Sequence, residues 1–285
     1  MNVKIDLFLD NVCFLSINST KFEVISQKNE FIVMSKIALI TGATSGIGEA
    51  TAMLLANNGV NVIITGRRQD RLDNLKNKIE AKNVRVLSLC FDVRNKEEVS
   101  DAINNLPDSW KNIDFLINNA GLAAGLSTVQ EGLLDDWERM IDTNLKGLLY
   151  VTRAVSPGMI KRKSGHIVNI GSIAGKEVYP NGNVYCATKH GVDALTKGMR
   201  VDMLPYNIKV TQICPGAVET EFSIVRFHGD KARADKVYDG FENLVAADIA
   251  DCIWFAVSRP PHVNINDMLV MPTAQATGSI FHKEQ

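Results

Sequence analysis

Short apolar runs recur along this chain, with segments of helical period between them. The runs are Ile37–Thr41, Val60–Thr65, Val84–Cys90, Ile113–Ile117, His166–Ile170, Ile208–Ile213 and Met268–Met271. They are rich in Val, Ile and Leu without strict alternation, the pattern of strands buried on both faces. Between them lie Ile47–Asn58, Leu72–Ala81, Lys96–Asn104, Leu133–Ile160, Val184–Leu204 and Ala247–Val257. Parallel strands need crossover connections, and right-handed helical crossovers are the ones that pack back onto their sheet. The alternation therefore predicts an α/β fold: a doubly wound parallel sheet of about seven strands with helices on both faces.

At 285 residues and 46% apolar content the chain has material for one well-buried core, and no Pro-, Gly- or Ser-rich linker divides it. We expect a single catalytic domain over 35–285 and an extension over 1–34 with no catalytic part. In that extension Asp6, Asp10 and Asn11 interrupt any signal-peptide core. Phe31-Ile-Val33 is β-prone and leaves open an added strand or oligomer arm. The net charge of −1 gives no electrostatic case for nucleic acid or an anionic membrane. No apolar run approaches the roughly 18 residues of a spanning helix. The five cysteines are widely spaced, without a C-x-x-C pair, and read as reduced thiols of a cytoplasmic protein. The five histidines have no metal-ligand spacing, so no metal site is expected.

On this framework lie four local motifs. Thr41-Gly-Ala-Thr-Ser-Gly-Ile-Gly48 joins the first strand to the first helix, and Asn118-Asn-Ala-Gly121 ends a later strand. Ser172 follows the strand His166–Ile170, and Tyr185-Cys-Ala-Thr-Lys189 opens a long helical segment. Each alone is weak: a glycine loop is often a plain turn, and a Tyr-x-x-x-Lys pair is often surface packing. In this order and spacing the chain resembles the classical short-chain dehydrogenases/reductases, from about Lys36 to about His282. The resemblance implies a Rossmann-type fold and a nicotinamide-dependent oxidoreductase.

Glycines at Gly42, Gly46 and Gly48 let the backbone approach a pyrophosphate at a helix N-terminus, where unpaired N–H groups and the dipole favour anions. Thr44, Ser45 and Ile47 complete that loop. The end of the second strand decides the cofactor type. An acid there serves the ribose 2′-hydroxyl of NAD, whereas a 2′-phosphate needs cations. The chain has Gly66, Arg67 and Arg68, with no acid before Asp70, which points to NADP through charge-assisted pairing. By resemblance, Asp92 and Val93 border the adenine, and Asn119, Ala120 and Gly121 border the adenosine ribose. Pro215, Gly216, Val218 and Thr220 wrap the nicotinamide and its phosphate. The segment at about 219–240 fits the strand–helix pattern worst and falls where the family carries a mobile lid.

Hydride transfer at a carbonyl needs a proton donor or acceptor at its oxygen. Tyr185 is the candidate, and Lys189, four residues on, shares its helix face, where its ammonium is expected to lower the tyrosine pKa. Ser172 is the candidate donor to the substrate oxygen. Asn144 matches the family's fourth catalytic residue, which distorts its helix and holds a water that feeds protons to the lysine. His166, His190 and Cys186 read as structural.

The segments Thr65–Arg68, Gly182–Lys189, Pro215–Asp230 and Pro272–Ala276 resemble the NADP-dependent 3-hydroxy acid dehydrogenases, also called serine or L-allo-threonine dehydrogenases. That resemblance implies a homotetramer acting on small 3-hydroxy acids and the matching 3-oxo acids. Such substrates carry a carboxylate, and Arg226 in the lid-like motif is the candidate clamp, with a tie between lid and protein body as the equal alternative. Two rivals stay open: a reductase of another carbonyl, such as a 3-oxoacyl thioester, and an NADPH-binding sensor without turnover.

Overall fold

A computed structural model describes residues 14–18, 21–25 and 35–284. Contacts divide the chain into 1–34 and 35–285. In the first unit Phe14–Asn18 and Lys21–Ile25 pair as antiparallel strands, which the sequence pattern does not announce. Phe31–Val33 lies outside the described residues.

The second unit holds the expected sheet. Its strands are β1 (Ile37–Ile40), β2 (Asn61–Gly66), β3 (Val86–Cys90), β4 (Phe115–Asn118), β5 (Gly165–Ile170), β6 (Ile208–Pro215) and β7 (Asp267–Val270). They pair in the order β3-β2-β1-β4-β5-β6-β7, and every pairing is parallel. The crossovers include α1 (Gly46–Asn57), α2 (Gln69–Glu80), α3 (Lys96–Asn104), α4 (Leu134–Ile141), α5 (Leu148–Arg162) and α6 (Asn183–Met203). Short helices α7 (Phe222–Arg226) and α8 (Lys231–Asp235) precede α9 (Ala246–Val257).

Successive strand residues point to opposite faces, so each strand feeds two cores. Ile37, Leu39, Leu116, Ile167 and Val210 pack with Val99 of α3, Val155 and Met159 of α5 and Met199 of α6. Their neighbours Ala38, Ile40, Ile117, Val168 and Ile213 pack with Leu55 of α1, Leu75 of α2 and Ile253 of α9. This two-sided burial is why the strands lack a polar face. Between the layers, Asn118 Nδ2 donates to Thr152 Oγ1 and to Asn169 Oδ1, both at 2.9 Å, and Asn169 Nδ2 donates to Thr196 Oγ1. These buried amides tie β4 and β5 to α5 and α6 with their donors satisfied.

Two departures from the sequence pattern bear on function. The segment expected as one helix over Leu133–Ile160 is broken by a π turn at Asp142–Gly147, which separates α4 from α5. The lid-like segment is closed at its base by a parallel clip, Val218–Glu219 against Leu244–Val245, with α7 and α8 between its halves. Among the described residues, no helix is long and apolar enough to cross a membrane.

Candidate active site

Beyond the carboxyl ends of the strands, where the order reverses between β1 and β4, lies a cavity of about 570 Å³. Such switch points are where doubly wound sheets leave room for a ligand. Of the candidate catalytic, cofactor and substrate residues named from the sequence, all line this cavity except Gly48 and Asn144.

One end is shaped by backbone. Gly42 has φ +65°, and a Cβ on it would lie 2.9 Å from Ala120 Cα. A Cβ on Gly48 would lie 2.3 Å from the Gly42 carbonyl oxygen and 2.5 Å from Asn119 Nδ2. No residue but glycine fits either place without displacing main chain. Asn119 Nδ2 donates to the carbonyls of Thr41 (2.9 Å) and Gly42 (3.1 Å), while Thr41 Oγ1 accepts from Asn119 N and Ala120 N, both at 3.0 Å. Asn119 therefore locks the glycine loop across the switch point. Ser45 caps α1 by position only, its side chain accepting from none of the helix N–H groups, so the first N–H groups of α1 are left for an anion.

The arginines differ in their surroundings. Arg68 donates from Nε and Nη2 to Thr44 Oγ1 (3.2 and 2.8 Å), from Nη2 to Ser45 Oγ (3.0 Å) and from Nη1 to Glu221 Oε2 (3.1 Å). Arg71, which the sequence reading passed over, donates to Glu221 Oε1 at 2.6 Å. Arg67 is more exposed, its Nη1 3.7 Å from Asp92 Oδ2. Arg94 grips the Asp92 carboxylate through Nε and Nη2; although burial opposes it, this pairing holds the Asp92 pKa below its usual value. A glycine cradle, an uncapped helix N-terminus and guanidinium groups at the end of β2, with no acid at that strand end, fit the NADP expected from the sequence.

The other end carries the titratable groups. Ser172 follows β5; its Oγ accepts from Ala174 N at 3.1 Å and lies 3.5 Å from the Pro215 carbonyl oxygen. Tyr185 and Lys189, one turn apart on α6, are both buried, with Lys189 Nζ 5.9 Å from the Tyr185 ring centre and donating to the Ile170 carbonyl at 2.9 Å. Burial pushes the Lys189 ammonium down to about 8. The expected lowering of the Tyr185 pKa is not what the protein alone produces. Burial drives the phenol upward, and the opposing influences are Arg226 and the Ser172 hydroxyl rather than Lys189. The physical reason is that desolvation penalises the phenolate more than these neighbours relieve it.

Asn144 lies in the π turn. Its Oδ1 accepts from Leu122 N (2.9 Å), and its Nδ2 donates to Leu122 O (2.8 Å) and Thr188 Oγ1 (3.1 Å). A Cβ on Gly121 would sit 3.3 Å from Asn144 Oδ1 and 3.6 Å from Lys189 Nζ, so these groups converge on one spot. The expected helix distortion at Asn144 is present.

Arg226, on α7, sits over three rings: its guanidinium carbon is 5.2 Å from the Tyr185 centre, 5.5 Å from Phe222 and 5.7 Å from Tyr179. Its Nη2 donates to the Tyr179 hydroxyl at 2.5 Å, and its buried Nε has no partner. Tyr179 and Gln275 were missed in the sequence. Gln275 Oε1 accepts from Ala217 N at 2.8 Å and packs against Gly216, so it holds the loop after β6. The segment Pro272–Ala276 drew notice, but no local pattern marks Gln275 as a loop anchor.

The chain matches the family described as short chain dehydrogenase over residues 36–230. It is 47% identical over 241 residues to an NADP-dependent 3-hydroxy acid dehydrogenase of Salmonella typhi, covering 84% of this chain and 96% of that protein. It is 44% identical to sulfoacetaldehyde reductase 2 of Chromohalobacter salexigens, covering 85% and 96%. Its fold superposes on the closed form of a serine dehydrogenase complexed with NADP+ with a TM-score of 0.82, at 44% identity over 87% of this chain and all of that one. With its seven-stranded parallel sheet and its glycine-shaped switch-point cavity, this chain belongs to the short chain dehydrogenase family.

Proposed function

We propose that this chain is an NADP-dependent oxidoreductase that oxidises the 3-hydroxyl of small 3-hydroxy acids and reduces the matching 3-oxo acids. The observation that carries this reading is the placement of Arg226 beside the Tyr185 ring, on the same cavity as Ser172 and Lys189. A guanidinium next to the acid/base group suits a substrate whose carboxylate lies a short way from the reacting carbon.

NADP fits the backbone-shaped end, held by the Gly42–Gly48 loop, Arg67 and Arg68, and supplies the hydride acceptor. Ser172 Oγ then orients the substrate oxygen, and Tyr185 takes its proton during oxidation or returns it during reduction. Because burial raises the phenol, a positive charge must arrive before Tyr185 can act as a base near neutral pH. Arg226 and the Ser172 hydroxyl already oppose that rise in the protein alone, so the added charge is the one the oxidised nicotinamide would bring. Asn144 holds Leu122 and Thr188 in register beside Lys189, which makes it a positioning residue. The second lining of the clamp is Tyr179, whose hydroxyl steers the Arg226 fork.

Carboxylates and sulfonates are both anions that can turn two acceptor oxygens toward a guanidinium fork, so a sulfonated aldehyde is the second reading, favoured by the same Arg226. As a proposal on assembly, Ile141 and Leu149 on the long interrupted helix and Val201 and Leu204 near the end of α6 are exposed apolar side chains, which supports a homotetramer built on those helices.

The test is NADPH formation from NADP with L-serine, L-allo-threonine and 3-hydroxyisobutyrate, and NADPH consumption with sulfoacetaldehyde, with Tyr185→Phe as the blank. Turnover of a hydroxy acid that vanishes in the variant supports the proposal. Turnover of sulfoacetaldehyde alone selects the sulfonate reading. NADPH binding without turnover on any of the four overturns both.

A further inference from the structure

Glu221 bridges two arginines at the end of the cavity meant for the cofactor's anionic groups, although it belongs to the lid. Its Oε2 accepts from Arg68 Nη1 at 3.1 Å and its Oε1 from Arg71 Nη1 at 2.6 Å. A guanidinium has five N–H donors. Arg68 Nε and Nη2 are committed to Thr44 and Ser45, which leaves Nη1, and Glu221 takes one of its two N–H bonds. A second anion can reach Arg68 fully only if Glu221 leaves.

Resting on the NADP reading above, we infer that Glu221 is an internal occupant of the cofactor's 2′-phosphate subsite, displaced by that phosphate and thereby freeing the root of the lid. The contest favours the phosphate. Arg68, Arg71 and Glu221 are all about 40% exposed, where carboxylate pairs are weak and solvent-screened. A phosphate dianion brings more charge and three acceptor oxygens to the same guanidinium groups.

The displacement has a path to the substrate end. Glu221 immediately precedes α7, and its carbonyl accepts from Val225 N at 3.1 Å inside that turn. Arg226 is on α7, so a shift at Glu221 moves the base of the proposed carboxylate clamp. A cofactor with only a hydroxyl at the 2′ position leaves Glu221 on its arginines. Cofactor choice and lid position are in this way one equilibrium.

The probes are 2′,5′-ADP and 5′-AMP, which share the adenosine and lack the nicotinamide, titrated calorimetrically into the full chain and into Glu221→Gln. Removing the competing charge should tighten 2′,5′-ADP roughly fivefold and leave 5′-AMP unchanged, on the scale of two exposed ion pairs. Amide hydrogen exchange provides a reading that needs no variant: 2′,5′-ADP should speed exchange at Phe222–Phe227 in the wild-type chain, and 5′-AMP should not. Equal or weaker binding of 2′,5′-ADP by Glu221→Gln makes Glu221 an orienting partner of the arginines and overturns the inference, as does unchanged exchange. If the wild-type chain binds 2′,5′-ADP no better than 5′-AMP, the NADP reading itself fails and takes the inference with it.

Discussion

The two ends of the cavity are built from different materials. Around Gly42–Gly48 the walls are main chain, locked by the Asn119 amide and by close approaches that only glycine allows. Around Arg226 they are long side chains from α7, from the loop bearing Tyr179 and from the segment bearing Gln275, which meet over large sequence separations. The first end is rigid by sterics and serves the group that every member of such a fold must hold. The second is adjustable, one residue at a time, which suits it to the proposed role in substrate choice.

Substitutions sharpen this contrast. The largest effect is expected at the chemical centre between the two ends. Tyr185→Phe should lower turnover by about 10³- to 10⁴-fold, the upper range for general acid–base catalysis, with NADPH affinity unchanged by fluorescence titration. At the rigid end, Gly48→Ala should cost about 3 kcal/mol in a denaturant titration, because the backbone contacts at 2.3 Å cannot relax as a side chain would. Gly229→Ala in the lid has no atom within 4 Å and should cost only about 1 kcal/mol, from its φ of +91°. Comparable losses at the two glycines would break the distinction.

At the adjustable end, Arg226→Met should slow hydroxy-acid turnover roughly 30-fold, about 2 kcal/mol for one charge-assisted contact, and spare an uncharged carbonyl substrate. Equal loss on both would make Arg226 a lid tie.

An effect that depends on pH concerns the sheet itself. His166 is fully buried on β5, its Nε2 2.7 Å from Thr211 Oγ1, and burial together with Lys209 pushes its pKa from 6.5 to about 3. The unfolded chain therefore takes up this proton first. Stability from this group is complete above about pH 6.5 and is lost as pH falls towards 3, by about 2 kcal/mol at pH 5. His166→Asn should flatten that acid limb in thermal melts at pH 7 and pH 5, while the lid end shows no matching change.

The same contrast explains what could be read in the chain before its structure. Strands such as Ile208–Pro215 and helices such as Lys96–Asn104 declare themselves through hydrophobic period, and Gly42 and Gly48 through a spacing tied to backbone sterics. The candidate pair Tyr185 and Lys189 on α6 was legible for a similar reason: a residue one turn beyond another shares its face whatever surrounds it. Glu221, Arg71, Tyr179 and Gln275 carried no such signature. Their importance depends on partners up to about 150 positions away, as for Arg71 and Glu221, and local sequence holds no record of that distance. In the protein alone the Tyr185 pKa runs upward rather than downward because Lys189 is visible in sequence and desolvation is not.

The π turn at Asp142–Gly147 has a consequence for how this helix can vary. It behaves as a retained one-residue insertion that re-phases everything on its amino-terminal side. Met140 of α4 packs with Tyr185 and Leu122, whereas Val151, Val155 and Met159 of α5 pack on the sheet, and a regular helix presents a single stripe. Excising one residue from the turn would straighten the rod, rotate α4 by roughly 100° and shift it by about 1.5 Å. Asp136 would then swing away from His228 of the lid, now 3.1 Å from its carboxylate. An unremarkable length polymorphism elsewhere in the chain would here act as a rotary setting, uncoupling the wall beside Tyr185 from the segment that bears His228.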